Sequence, residues 1–313
     1  MGTAETRPLI LLMGPTGAGK SDVALAIAAD KAVEIVSVDS AMVYRGMDLG
    51  TAKPSAATRR TVPHHLVDIR DPTQRYSAGE FIDDARAAAE AIWARGRVPL
   101  LVGGTMLYFH TLTAGLAALP AADLAVRAGI DAEAAQRGWA AMHEELRRVD
   151  PVAAARIHVN DPQRIQRALE VFRLCHTGIS ELQQARVSAF ADARVVEFAL
   201  APLERRDLHT RIHTRFRTML DAGLLEEVRA LFQRGDLTAE HPSMRAVGYR
   251  QLWRHLTGAV TLEQATQEAV AATRQLAKRQ FTWLRRRTQA QWFDSMRPDA
   301  AAELKNALSK CGI

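Results

Sequence analysis

Pro8-Leu9-Ile10-Leu11-Leu12-Met13 runs into Gly14-Pro15-Thr16-Gly17-Ala18-Gly19-Lys20-Ser21 and leaves through Asp22-Val23-Ala24-Leu25-Ala26-Ile27-Ala28-Ala29. The order is a buried strand, a glycine-rich loop and a helix. The spacing G-x-x-x-x-G-K-[S/T] is that of the P-loop, whose glycines let backbone N–H groups close around phosphate oxygens while the helix aims its positive end at them. In that arrangement Lys20 neutralises phosphate charge and Ser21 holds magnesium. A ligand with two or more phosphates is expected, but such a loop reads phosphates and not what they are attached to.

Working outward, Val33-Glu34-Ile35-Val36-Ser37-Val38 reads as a second buried strand that ends in Asp39-Ser40-Ala41-Met42. In open α/β sheets ligands sit beyond the carboxyl ends of the strands, so Asp39 is expected beside the phosphate loop. Residues 44 to 79 carry Gly, Pro, Thr and Arg at short intervals, as in Gly50-Thr51-Ala52-Lys53-Pro54, and read as loop with one short strand near His65 to Asp68. Ser77, with Glu80 three residues on, opens an alanine-rich helix that stops at Gly96. Arg97-Val98-Pro99-Leu100-Leu101-Val102 is the next strand, and Gly103-Gly104-Thr105 brings Thr105 to the same edge.

After Gly115 the pattern changes. Residues 120 to about 188 are almost all helix-period, with caps at Asp123, Asp150-Pro151 and Asp161-Pro162. The expected organisation is a P-loop NTPase-like α/β core over 1–115 and 192–313, a parallel sheet with helices on both faces, and an inserted all-helical lobe over 116–191. Val195 to Leu200 restores a strand, helices follow near 204–221, 223–234, 243–256 and 261–287, and Gln291-Trp292-Phe293 reads as a last short strand.

At 313 residues, 48% hydrophobic and 24% charged, the chain is of ordinary globular composition and long enough for a full core plus a second lobe. No apolar run approaches the length of a membrane span, and residues 1 to 7 lack the apolar core of a signal peptide, so a cytoplasmic protein is expected. Cys175 and Cys311 are the two cysteines, far apart and without metal-ligand spacing, and read as free thiols. The formal net charge of +6 permits an anionic macromolecular partner.

Three roles suit Asp39 on these grounds: holding magnesium indirectly, acting as general base toward a nucleophile, or capping the turn. Thr105 after Gly-Gly reads more readily as an N-cap than as a substrate contact. Arg274, Lys278 and Arg285 share one stripe of the helix over 261–287, with Arg279 and Arg286 on the neighbouring stripe and Phe281, Trp283 and Leu284 interleaved. Gln163, Arg164 and Arg167, and the arginines and tyrosine of Met244-Arg245-Ala246-Val247-Gly248-Tyr249-Arg250, add groups suited to phosphates and unpaired bases. Arg211 and Arg215, one helical turn apart, suit a diphosphate. No strand ending in Asp-x-x-Gly, no Asn-Lys-x-Asp and no arginine-rich lid is evident, which turns the phosphate loop away from NTP hydrolysis.

Together these residues resemble the tRNA dimethylallyltransferases, also called tRNA isopentenyltransferases. The likeness runs through Gly14 to Ser21, Ser37-Val38-Asp39-Ser40, Tyr44-Arg45-Gly46-Met47-Asp48, Gly50-Thr51-Ala52-Lys53-Pro54, Asp68-Ile69-Arg70-Asp71-Pro72, Leu101 to Thr105, Asp161-Pro162-Gln163-Arg164, Val247-Gly248-Tyr249-Arg250 and Arg274-Gln275-Leu276-Ala277-Lys278-Arg279-Gln280. Ala18 stands where the family commonly has Ser, and no zinc-finger spacing follows the last motif, so the likeness is to the bacterial form.

The resemblance implies transfer of a dimethylallyl group from dimethylallyl diphosphate to the exocyclic N6 amine of the adenosine 3′-adjacent to the anticodon, in tRNAs reading U-starting codons. It implies that the tRNA anticodon stem-loop is the partner of a monomeric enzyme. By the same likeness Asp39 is the base, Thr105 contacts the adenine, and Gly14 to Ser21 with Arg215 hold the diphosphate. The RNA path is then lined by Asp39, Ser40, Ala41 and Met42, by Thr105 and Arg127, and by Gln163, Arg164, Ile165, Gln166 and Arg167. Met244, Arg245, Ala246, Val247, Gly248 and Tyr249 continue it, as do Ala277, Lys278, Arg279, Gln280, Phe281, Thr282, Trp283 and Leu284. An adenylate isopentenyltransferase of the cytokinin type, a small-molecule P-loop kinase and a non-catalytic RNA-binding P-loop protein are the competing readings.

Overall fold

The computed structural model describes residues 7–117, 119–184 and 186–313; residues 1–6, on which the reading of the amino terminus largely falls, lie outside it. The chain runs β1 (Arg7–Met13), α1 (Lys20–Asp30), β2 (Val33–Val38), α2 (Ala56–Thr61), β3 (His64–His65), α3 (Ala78–Ala94), β4 (Val98–Gly103) and α4 (Met106–Ala114). Next come β5 (Leu116–Ala117), α5 (Leu124–Arg137), α6 (Trp139–Val149), α7 (Pro151–Arg156), α8 (Pro162–Cys175), α9 (Ile179–Leu182) and β6 (Arg186–Val187). The last stretch is β7 (Ala193–Ala201), α10 (Arg205–Asp221), α11 (Leu224–Gln233), α12 (Tyr249–Leu256), α13 (Leu262–Leu284), β8 (Gln291–Asp294) and α14 (Ala300–Lys310).

The chain divides into two compact units, residues 1–110 with 192–313, and residues 111–191. In the first, six strands form a sheet in the order β3-β2-β4-β1-β7-β8, with every pair parallel. Strands that are buried on both faces read as unbroken apolar runs, and Leu9 to Met13 and Leu100 to Leu101 are almost wholly enclosed for that reason. Ile10, Leu12, Leu100 and Phe198 pack against Ile27 of α1 and Leu304 and Leu308 of α14. A second core belongs to the helices after β7: Leu208, Ile212 and Phe216 of α10 meet Leu224, Val228, Leu252, Ala269 and Phe281. The Ser77–Glu80 capping box that opens α3 is formed in both directions.

Two helices differ from the expected spans. The one expected over 243–256 begins at Tyr249, because Gly248 sits at φ +94°, outside any right-handed helix, and residues 241–248 turn instead. The one expected to reach 287 ends at Leu284.

The second unit is built on Ile130, Met142, Leu146, Ile165, Leu169 and Val171 from α5, α6 and α8, and adds a short antiparallel ribbon of β5 and β6 to its helices. Glu170 is completely enclosed there. Its carboxylate accepts from the guanidinium groups of Arg127 and Arg167 and from the backbone N–H of Asp123. Burial is the largest single influence and pushes its pKa up, but those bonds together outweigh it and draw the pKa down. Cys175 and Cys311 are both free thiols. Among the described residues no helix is long and apolar enough to cross a membrane.

Candidate functional site

The carboxyl ends of β1, β2 and β4, three adjacent strands, open into one cleft of about 740 Å³ within the first unit. β1 delivers the phosphate loop, β2 delivers Asp39 and β4 delivers Thr105. The cleft is lined at one end by Thr16, Gly17, Gly19, Lys20, Ser21 and Arg215, and elsewhere by Met42, Val247, Leu276 and Trp283 among others. A charged end and an apolar flank therefore share one cavity, which suits a ligand that is anionic at one end and hydrocarbon at the other.

At the charged end, α1 begins at Lys20 with no side chain over its first N–H groups, leaving a polarised helix terminus for an anion. The Lys20 ammonium folds back on the loop and donates to the Pro15 carbonyl at 2.8 Å. Burial pushes its pKa down to about 8, and the Arg215 guanidinium pushes the same way, against the attraction of Asp39. Burial likewise draws Arg215 below its ordinary value although the side chain touches solvent, since water in a concave site solvates less completely than bulk; Asp39 and Asp22 oppose the shift. These are two cations placed at a disadvantage until an anion arrives.

The loop is held from outside. Gln280 of α13 accepts the Thr16 N–H through Oε1 at 2.9 Å and donates through Nε2 to the Gly104 carbonyl at 2.8 Å, so one amide ties the phosphate loop to the end of β4. The Thr16 N–H is thereby committed to Gln280, and that of Ala18 to Pro15 at 3.3 Å.

Asp39 accepts the N–H groups of Ala41 at 2.8 Å and Met42 at 3.3 Å, both through Oδ1. That turn fixes the carboxylate, and Oδ2 accepts no hydrogen bond among the described residues. The Thr105 hydroxyl accepts the Ser40 N–H at 3.1 Å and lies 3.5 Å from the Ser40 hydroxyl. Ser21, Asp22 and Asp39 all line the cleft, and among the described residues no cluster of three or more His, Cys, Asp or Glu exists to cage a metal.

The segments expected along an RNA path divide by face. Ser40, Ala41, Met42, Arg245, Ala246, Val247, Arg279 and Trp283 line the cleft, and Lys278 and Thr282 are exposed on α13. Ile165, Met244, Ala277 and Leu284 are core residues with at most 2% exposure, and Phe281 is nearly as enclosed, which removes them as contacts for a ligand in this conformation. Gly248 is buried at the cap that precedes α12, Tyr249 reaches the cleft from an otherwise buried position, and Gln280 serves the phosphate loop. In the second unit Arg127 and Arg167 are engaged with Glu170, Gln166 donates to Asp131, and Gln163 and Arg164 are exposed. Of the pair Arg211 and Arg215, only Arg215 lines the main cleft; Arg211 lies in a neighbouring groove and donates to the Ser295 carbonyl.

Ile212, Phe216 and Met219 of α10 also line the cleft and were not anticipated. Their spacing beside Arg215 is the signal that was available, but a stripe of that kind reads equally as core. Gly50, Thr51, Ala52 and Pro54 line it as well, from a stretch whose sequence announces only a loop.

The family model described as IPP transferase matches residues 42–287. A tRNA dimethylallyltransferase of Nitrosococcus oceani is 56% identical over 283 residues, covering 90% of each chain. One of Methylococcus capsulatus is 53% identical over 298 residues, covering 95% of this chain and 96% of its own. Among solved structures, the tRNA isopentenylpyrophosphate transferase of Bacillus halodurans superposes with a TM-score of 0.70 at 35% identity, over 97% of this chain and 96% of that one. A eukaryotic dimethylallyltransferase acting on tRNA superposes with a TM-score of 0.82 over 97% of this chain and 79% of its own; at 24% identity it speaks for the fold alone.

Proposed function

The chain belongs to the IPP transferase family of tRNA dimethylallyltransferases, and from that premise we propose that its cleft moves a dimethylallyl group from dimethylallyl diphosphate to the N6 amine of the adenosine 3′-adjacent to the anticodon in tRNAs reading U-starting codons. The observation that carries this reading is the convergence of Lys20, Arg215, Asp39 and Thr105 on one cavity that also has an apolar flank. The diphosphate lies at the α1 terminus, and the five-carbon group extends along the apolar lining.

The bond that breaks joins the allylic carbon to a diphosphate oxygen, and the bond that forms joins that carbon to N6. Charge accumulates on the departing diphosphate, where Lys20, Arg215 and the loop N–H groups stabilise it. Magnesium at Ser21, when bound, adds a cation to the leaving group. The lone pair of N6 is delocalised into the purine, so the amine is a poor nucleophile, and it becomes acidic only as the new carbon–nitrogen bond places positive charge on it. Asp39 accepts that proton through the oxygen outside its turn, and Thr105 orients the adenine. A base paired or stacked in RNA cannot reach such a cleft, so the adenosine is turned out of its stack. Ser40 to Met42, Arg245 to Val247, Lys278, Arg279 and Trp283 receive it, and Arg127, Gln163, Arg164, Gln166 and Arg167 of the second unit bind the surrounding RNA.

The test is incorporation of labelled dimethylallyl diphosphate into an unmodified anticodon stem-loop bearing the target adenosine, with AMP and ATP as parallel acceptors. Label in the RNA supports the reading. Label only in a mononucleotide replaces it with the cytokinin type, and phosphorylation from ATP replaces it with a kinase.

The lowered Lys20 pKa sets a pH dependence. In the free enzyme Lys20 is cationic below about 8 and neutral above it. Since kcat/KM reports groups of the free enzyme, kcat/KM for dimethylallyl diphosphate is expected to fall as pH rises through about 8. The bound diphosphate holds the proton in place, so kcat declines only at higher pH. A kcat/KM profile flat between about pH 7 and 9 would overturn the assignment.

A further inference from the structure

Glu227 of α11 is not among the residues that line the cleft, yet four hydrogen bonds end on its carboxylate. Oε2 accepts the N–H of Asp48 at 3.0 Å and of Leu49 at 2.7 Å. Oε1 accepts the N–H of Gly50 at 3.3 Å and the Tyr249 hydroxyl at 2.5 Å. Three successive backbone donors aimed at one carboxylate resemble an anion site filled by the protein's own side chain. Burial, with the Glu227 charge beside it, drives the Tyr249 phenol far above its ordinary pKa, so it remains a donor at every pH of interest.

The loop so held is under strain. Ala52 sits at φ +53°, a left-handed conformation that a residue with a Cβ adopts at an energetic cost and keeps only where its surroundings leave no alternative. Immediately after it, Lys53 is buried and its ammonium donates to the Tyr44 carbonyl at 2.8 Å and to Asp48 and Asp68 at 2.5 and 2.6 Å. On the side of Gly50 there is no slack: a Cβ built there would lie 2.5 Å from the Tyr249 ring. Glu227 and Lys53 thus pin the strained turn from its two ends. The pinned residues Gly50, Thr51, Ala52 and Pro54 are cleft wall, and Tyr249, which shares Glu227 with them, lines the same cleft.

We infer that Glu227 is a positioning residue, which fixes residues 48–54 and Tyr249 as the acceptor-side wall of the cleft, the surface against which the turned-out nucleotide is held. This rests on the tRNA reading proposed above. The diphosphate end is built from other elements, β1 and α1 with Arg215 of α10. Loss of Glu227 therefore weakens the RNA acceptor and spares the donor, a split that mere destabilisation of the fold does not produce.

Glu227→Gln keeps the size of the side chain but replaces one acceptor oxygen by an amide that cannot accept from Gly50. Transfer to the anticodon stem-loop is measured with each substrate varied, alongside Tm. The expected result is a KM for the stem-loop raised about tenfold, the scale of one hydrogen bond to a charged group, with the KM for dimethylallyl diphosphate and kcat within about twofold of wild type. Gly50→Ala, which forces the loop and Tyr249 apart from the opposite side, is expected to give the same split, and it carries the test should Glu227→Gln fold poorly. If both KM values rise together, or neither moves while wild type transfers label normally, the inference falls and the tRNA reading stands. If wild type itself transfers no label to the stem-loop, both fall.

Discussion

Asp39→Asn is expected to slow transfer to the stem-loop by at least about a hundredfold, while leaving tRNA binding near normal. The substitution isolates one property. Asparagine has the same shape, and its side-chain oxygen still accepts the N–H groups of Ala41 and Met42, so the turn that aims residue 39 survives. What is lost is the capacity to take a proton from N6 as the carbon–nitrogen bond forms. Single-turnover transfer at saturating substrate, with RNA binding followed separately, measures the two effects independently. A variant that binds RNA and transfers at the wild-type rate would remove Asp39 from the role of base.

Lys20→Met is expected to lower kcat by about a hundred- to a thousandfold, the scale seen when a preorganised group facing developing charge is removed. Methionine nearly matches the length of the lysine stem and carries no charge. The Lys20 ammonium is held in a site that already disfavours it, as its lowered pKa shows. Removing it should therefore leave Tm unchanged or higher, and a large loss of rate in a chain no less stable identifies a group kept for the reaction. Retention of rate within about fivefold would show that Arg215 and the helix terminus suffice for the leaving group.

Legibility in the sequence follows the range of the interactions. The unit β1, phosphate loop and α1 is local: an apolar run, a fixed glycine spacing and an alanine-rich helical continuation, each readable within a dozen residues. That Asp39 and Thr105 arrive at the same edge follows from the parallel sheet, because successive buried strands joined by helices end on one side. The start of α12 was not readable, since Met244 and Leu252 continue a helical period and nothing local says that Gly248 breaks it with a positive φ. Similarity along α13 marks a segment but not its faces; burial of Ala277, Phe281 and Leu284 separates the stripe that packs from Lys278, Arg279 and Thr282, which do not. The bond between Glu227 and Leu49 spans 178 residues, and no pattern at either end predicts the other. The same holds for the partnership of Arg127 with Glu170 across 43 residues, which makes an arginine expected on RNA also a structural cation.

The bond from Thr16 to Gln280 crosses 264 residues, and β1 itself lies between β4 and a strand, β7, that follows the whole second unit. The phosphate loop is thus synthesised long before the strand and the amide that complete it. On the ribosome, where elongation adds roughly 5–20 residues each second, the emerging amino-terminal segment waits many seconds for the strand and the amide that finish it. Residues 111–191, contiguous and with a core of their own, have no such wait. A product terminated shortly after residue 191 therefore retains the whole of the second unit, while its phosphate loop lacks the strand and the amide that complete it.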